Sequence, residues 1–300
     1  MPSARRLRHW TRSGNMKKNL IFAMVAAVAI AAVGADENYA NEAELPRIDA
    51  LVFKSEGSQV YGQVLVPSSR FAGARPCVIF CHGFAGFTRW DDVAHDLCRA
   101  GIVVVTPHHR GAWGSEGDYT VSGCIRDAEN LAAWAMSREA SSKYGIDPKA
   151  VHLVGHSMGG NSVINAASRD VRIRGVAMIA PCDIGYMAER MTKKELTAFL
   201  VGEGLHVLHR KSDEAVVDDI LANARAMRFV NAAKSVGGRK VFLATGDYDA
   251  VVPSEPLDAL WRQLPNDPKR HVRMRYRADH SLMGVRRALA HALAGFILEK

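Results

Sequence analysis

The sequence predicts an α/β fold: a mostly parallel central sheet with helices on both faces and a helical cap inserted over the site. Three observations carry this reading. Short apolar runs alternate with helical stretches across residues 48–298, the pattern of a sheet buried on both faces. One stretch, 183–238, breaks the alternation; it is helix-rich, has no strand signal and is too long for a connecting loop. Val151 to Gly160, reading V-H-L-V-G-H-S-M-G-G, runs from a buried strand through G-x-S-x-G into a helix-like segment.

Residues 1–35 read as an address. Met1 to Asn15 is basic, Met16-Lys17-Lys18-Asn19 offers an alternative start, and Leu20 to Val33 is apolar throughout. Val33-Gly34-Ala35 supplies the small residues of a cleavage site. Together these predict a secretory signal and an exported, periplasmic or secreted product. The apolar run is shorter than the roughly 20 residues of a spanning helix, so no stable membrane span is expected after cleavage; an uncleaved anchor is the alternative. The segment also explains the charge. The chain carries 39 Lys+Arg against 31 Asp+Glu, a net +8, and residues 1–35 hold six of the bases and no acid. The rest is close to neutral, which gives no reason to expect a nucleic-acid partner.

Residues 36–47 are polar and read as a flexible leader; 48–300 read as one large domain, with ample length for its own core. Ile48 to Lys54 and Gln59 to Val66 predict an antiparallel pair around Glu56-Gly57-Ser58. Further strands are expected at Cys77–Phe80, Ile102–Thr106, Ala150–Val154, Ile173–Ala180, Val241–Thr245 and Val272–Tyr276. Helices are expected at Trp90–Ala100, Ser122–Glu139 and Leu282–Leu298, with two amphipathic cap helices at Met187–Leu200 and Glu214–Phe229. The plain alternative for 183–238 is a crossover helix with one extra helix outside it. Ligands of such sheets sit at the carboxyl ends of the strands. Cys77, Cys81, Cys98, Cys124 and Cys182 show no metal-type spacing. Cys77 and Cys81 share a strand and lie too far apart to bridge. The others leave both disulfides and buried free thiols open.

The G-x-S-x-G segment has the spacing of a nucleophile elbow. One serine is lifted onto a sharp strand-to-helix turn with strained backbone angles, and the residues two before and two after must be small. Gly155 and Gly159 meet that demand around Ser157. The following helix points its positive end at the place where an oxyanion would form.

Four motifs in order then carry a resemblance: His82-Gly83-Phe84, Gly111 to Gly117 (G-A-W-G-S-E-G), the elbow, and Gly246-Asp247-Tyr248-Asp249 followed by His280. Across residues 48–300 the chain resembles serine hydrolases of the α/β-hydrolase fold, nearest the esterase and prolyl-oligopeptidase-like branches. The resemblance implies Ser157 as nucleophile and His280 as base, since the order in this fold is Ser, acid, His. It implies Asp249 as the orienting acid, because similar sequences read G-x-x-D, a hydrophobic pair and Pro, here Gly246, Asp249, Val251-Val252 and Pro253. Asp247 then braces the turn, and Asp279 sits in a surface turn. Backbone N–H groups of Phe84 and Met158 are the implied oxyanion donors, with His82 a brace for its loop. Trp113 either lines the pocket or wedges its loop onto the core. There is no H-E-x-x-H, no Cys/His cluster and no dinucleotide fingerprint, so neither metal nor cofactor is expected. The implied activity is cleavage of small carboxylic esters through an acyl-enzyme. Hydrolysis of short peptides or amides with the same parts, and a non-catalytic binding protein of this fold, are the alternatives.

Overall fold

The computed structural model describes Tyr39 and residues 41–299. The expected signal at 1–35 lies outside the described residues. Eight strands form one sheet: β1 (Arg47–Ser55), β2 (Ser58–Val66), β3 (Arg75–Cys81), β4 (Val103–Pro107), β5 (Ile146–His156), β6 (Gly175–Ile179), β7 (Lys240–Gly246) and β8 (His271–Tyr276). Their order is β1-β2-β4-β3-β5-β6-β7-β8. β1 pairs antiparallel with β2, and β2 antiparallel with β4; all later pairs are parallel. The β1–β2 hairpin turns through Glu56 and Gly57, both at positive φ (46° and 91°), as a two-residue hairpin loop of matching twist requires.

Alternation along the strands splits the interior into two cores. Cys77, Ile79 and Cys81 of β3 face one layer, and Val78 and Phe80 the other. Helices α1 (Asp91–Arg99) and α10 (Arg286–Leu298) pack together on the second face. On the first face lie α2 (Val121–Ala135), α4 (Met158–Arg169), α8 (Phe229–Val236) and α9 (Glu255–Gln263), packed in that succession. This two-sided burial is why the strands read as continuous apolar runs. All five cysteines are free and buried, and burial pushes their thiols above the usual range.

Several expected helices are broken in the structure. The helix expected over 122–139 ends at Ala135. Ser137 accepts a hydrogen bond from Ala140 N and starts a new helix, α3 (Arg138–Tyr144). The closing helix begins as a 3-10 turn at Met283–Val285. Within 183–238 the chain forms α5 (Ile184–Ala188), α6 (Lys193–Gly202), a 3-10 turn at Leu205–Val207 and α7 (Asp213–Asn223), before α8. The expected 187–200 helix is interrupted because Thr192 and Glu195 form a reciprocal capping box that starts α6 afresh. α7 rests on α2, while α8 packs on α4 and α9 in the layer covering the sheet. Ahead of β1, Glu42–Glu44 is a 3-10 turn; carbonyls of Ala43 and Glu44 accept from the Ser69 and Ser68 hydroxyls. No helix among the described residues is long and apolar enough to cross a membrane.

Candidate active site

β5 is central in the sheet, and the chain leaves its carboxyl end at Ser157 with φ 52° and ψ −118°. A non-glycine residue holds such angles only where its surroundings force them. Here Ser157 N donates to Ile179 O at 3.0 Å, and Ser157 O accepts from Cys182 N at 3.0 Å and Asn161 N at 3.2 Å. Three glycines make the turn sterically possible. A Cβ on Gly155 would overlap the Gly159 carbonyl, one on Gly159 would overlap the carbonyls of Cys81 and His82, and one on Gly160 would lie 2.5 Å from Pro181 Cβ. α4 then begins at Met158, so the N–H groups of its first turn lack carbonyl partners within the helix.

The loop after β3 lies against this elbow. A Cβ on Gly83 would stand 3.2 Å from Ser157 Cβ, which brings the backbone leading into Phe84 up to the serine. His82 braces that loop. Its Nδ1 donates to Gly83 O at 2.8 Å and its Nε2 accepts from His109 N at 3.3 Å. The imidazole is buried, and burial, followed by the neighbouring His109, holds its pKa well below the usual histidine range. The brace continues inward. Arg110 donates from its backbone N (2.9 Å), Nε (2.9 Å) and Nη2 (2.6 Å) to Asp127, which also accepts from Ser55 Oγ at 2.6 Å. Burial alone would raise the Asp127 pKa. His109, 3.7 Å away, and Arg110 more than reverse this and keep the carboxyl well below the usual range.

Across the elbow, the loops after β7 and β8 bring Asp249 and His280 together. His280 Nδ1 donates to Asp249 Oδ2 at 2.8 Å, leaving Nε2 as the acceptor of that ring. Asp249 Oδ1 accepts from Val251 N (2.9 Å) and Val252 N (3.1 Å). Burial raises the Asp249 pKa, but His280 and these two N–H groups outweigh it, and the net shift is downward. The competing aspartates turn elsewhere. Asp247 pairs with Arg275 (Nη2 to Oδ1, 2.7 Å), and Asp279 accepts from Ser281 Oγ at 2.8 Å.

His156 was readable only as the elbow's neighbour, yet it joins the parts. Its Nε2 donates to His280 O at 3.0 Å, and its ring lies 4.8 Å from that of His280 and 4.7 Å from Trp90. A Cβ on Gly83 would approach its Nδ1 to 2.9 Å. Trp113 also bonds the β3 loop: Nε1 donates to Ala85 O at 2.8 Å. Among the described residues, no group of three or more His, Cys, Asp or Glu has the geometry to hold a metal.

Chemically, this is a strained hydroxyl at a helix start, a backbone loop pressed against it, and an imidazole with its tautomer set by a carboxylate. Comparison with known proteins agrees with the architecture. Est1E of Butyrivibrio proteoclasticus, solved with ferulic acid bound, superposes with a TM-score of 0.65 at 18% identity, covering 83% of this chain and 98% of Est1E. An esterase of Pyrococcus furiosus superposes at 0.60 with 15% identity, over 88% of this chain and 95% of that one. An uncharacterized 31.7 kDa protein of Escherichia coli, from the traX-finO intergenic region, is 29% identical over 133 residues, 42% of this chain and 44% of that protein. The matched region thus spans less than half of the curated relative. Residues 78–298 match the profile of the Alpha/beta hydrolase family. The match takes in the elbow, both flanking loops and every strand from β4 to β8, and the chain belongs to that family.

Proposed function

We propose that the protein is an exported serine hydrolase that cleaves small carboxylic esters. The observation that carries the reading is the 2.8 Å bond from His280 Nδ1 to Asp249, at the same sheet end as the strained Ser157 elbow. With Nδ1 committed as donor, Nε2 of His280 is the basic atom. It takes the Ser157 proton as Oγ bonds to the acyl carbon, then gives that proton to the departing alcohol oxygen as the C–O bond breaks. Water, deprotonated by the same nitrogen, releases the acid from the acyl-enzyme and restores the serine. Asp249 keeps the tautomer and stabilises the imidazolium, as its lowered pKa suits it to do. Backbone N–H groups of Phe84 and Met158 receive the oxyanion, each worth roughly 3–4 kcal/mol to the transition state.

The likeness to esterases supports esters over amides as the substrate class. The apolar run at 20–33 ending in Val33-Gly34-Ala35 supports export.

A p-nitrophenyl ester series tests the reading, run with the protein lacking residues 1–35 and with its Ser157→Ala variant. Turnover confined to the parent, together with fluorophosphonate labelling of Ser157, is the expected result. Labelling without ester turnover redirects the substrate to short peptides or amides. Absence of both leaves a binding protein. Amino-terminal sequencing of the periplasmic fraction checks the export reading.

A further inference from the structure

Two aromatic residues on the loops after β3 and β4, Phe87 and Trp113, are exposed, and one of them holds a strained backbone. Trp113 has φ 47°, in the left-handed region where a bulky side chain is an outlier. Its neighbours Gly111 (72°) and Gly114 (96°) take such angles as glycines, and a glycine at 113 would make the same turn without strain. The indole is not buried in return; it is 45% exposed. One edge is fixed by the bond to Ala85 O, and a Cβ on Gly86 would come 2.6 Å from its Nε1. Phe87 is 63% exposed and meets the indole edge-on, ring centroids 5.6 Å apart at 71°. The turn before Leu205–Val207 also approaches Phe87, since a Cβ on Gly204 would lie 2.7 Å from the phenyl ring. Of the sequence alternatives for Trp113, the bond to Ala85 O meets the wedge, and the exposed ring leaves the pocket-lining one open. Trp113 wedges the β3 loop with one edge and presents the rest of the ring.

A core role requires burial, and a turn role requires glycine. A pair of exposed aromatic rings in edge-to-face contact fits a third role, contact with a bound molecule. The sheet order says which part of that molecule. Phe87 follows β3 and Trp113 follows β4, on one side of β5. Asp249 follows β7 and His280 follows β8, on the other. In an ester the alcohol oxygen must face the imidazole that protonates it. On the Ser157–His280 reading, with the alcohol oxygen at the imidazole and the oxyanion on the backbone N–H groups, the acyl group has the β3 and β4 side open to it.

We propose that Trp113 and Phe87 form the acyl-side wall of the site and select esters of aromatic carboxylic acids. Aromatic rings favour edge-to-face and offset packing, and a planar acyl group finds both ring orientations here. The side of the molecule it occupies rests on the Ser157–His280 reading above; the wall itself does not.

The first measurement is the ratio of kcat/KM for p-nitrophenyl benzoate to that for p-nitrophenyl acetate, which share a leaving group. Phe87→Ala and Trp113→Ala are expected to lower this ratio about tenfold or more, mainly through KM, and Trp113→Phe to retain most of it. The second is equilibrium binding of methyl benzoate and methyl acetate to Ser157→Ala protein, followed by tryptophan fluorescence. Benzoate is expected to bind at least tenfold tighter, and Phe87→Ala to erase the preference. A ratio and a binding preference that survive Phe87→Ala and Trp113→Ala, in variants that still react with fluorophosphonate, overturn the wall and leave the esterase reading intact. Phe87-dependent benzoate binding in a protein that hydrolyses neither ester upholds the wall and removes the esterase reading.

Discussion

His156 Nε2 donates a hydrogen bond to the backbone carbonyl of His280 at 3.0 Å, so the residue before the elbow serine holds the loop that carries the second imidazole. The proposed mechanism requires a neutral His156, because a second positive ring 4.8 Å from His280 would oppose protonation of the base. Burial, with His280 as the next cause, lowers the His156 pKa to about 3, so the ring is neutral at neutral pH. His156→Ala is expected to reduce kcat roughly 10- to 100-fold, the scale of a misplaced catalytic group, with a smaller change in KM. His156→Gln, which keeps a donor, should recover part of the loss. Steady-state kinetics of both variants, with a melting curve for each, separates positioning from general destabilisation.

Asp249 and Asp247 stand two residues apart on the same loop but do different work. Asp249→Asn removes the charge behind His280 and permits the wrong tautomer. Turnover should fall by about 10⁴-fold, with the protein still folded. Asp247→Asn breaks only the exposed pair with Arg275, worth about 0–1 kcal/mol at most, and should leave turnover within a few-fold. Equal losses in the two variants would count against Asp249 as the acid.

Strands and loop order were legible because they depend on short-range pattern. The apolar runs at 77–80 and 102–106 needed only burial on both faces, and sheet order then brought the loops after β7 and β8 to the same end. The helix breaks were harder. Ser137 and Thr192 are ordinary polar residues inside helical patterns, and whether such a side chain caps a new helix or faces solvent is settled by packing. The Thr192-x-x-Glu195 spacing was nonetheless a readable signal. The role of His156 was not, since its partner lies 124 residues away and periodicity carries no information about that distance. Trp113 was ambiguous for a similar reason; a sequence does not show a positive φ on a non-glycine residue.

Acid stability should depend on Asp127. Its folded pKa lies below the ordinary value of 3.8. Its contribution is therefore complete above that value and is lost as pH falls through the folded pKa. Asp127→Ala leaves the Arg110 guanidinium, 9% exposed, without its buried partner. A loss of about 3–5 kcal/mol is expected at neutral pH. The gap between parent and variant should begin to narrow below about pH 4, where the carboxyl of the unfolded parent takes up a proton that the folded one does not. Urea unfolding from pH 3 to pH 7 measures both; a gap that stays constant with pH would remove the charge from the explanation.

The elbow glycines give the strictest steric expectation. A Cβ on Gly159 would overlap the backbone carbonyls of both Cys81 and His82, atoms of the strand and loop that support Phe84, which have no freedom to move aside without disturbing the β3–β5 pairing. A Cβ on Gly160 would instead lie 2.5 Å from the side chain of Pro181, a ring at the end of the connection out of β6. Overpacking of this kind costs about 1–3 kcal/mol, but the functional result should differ between the two. Gly159→Ala forces the β3 loop away from Ser157 and should abolish fluorophosphonate labelling even where the protein remains folded. Gly160→Ala pushes on the far side of the elbow and should lower the melting temperature with labelling retained at a reduced rate. Labelling rates and melting temperatures of the two variants measured together test this division. If Gly159→Ala labels at the parental rate, the β3 loop is not what supplies the oxyanion donor.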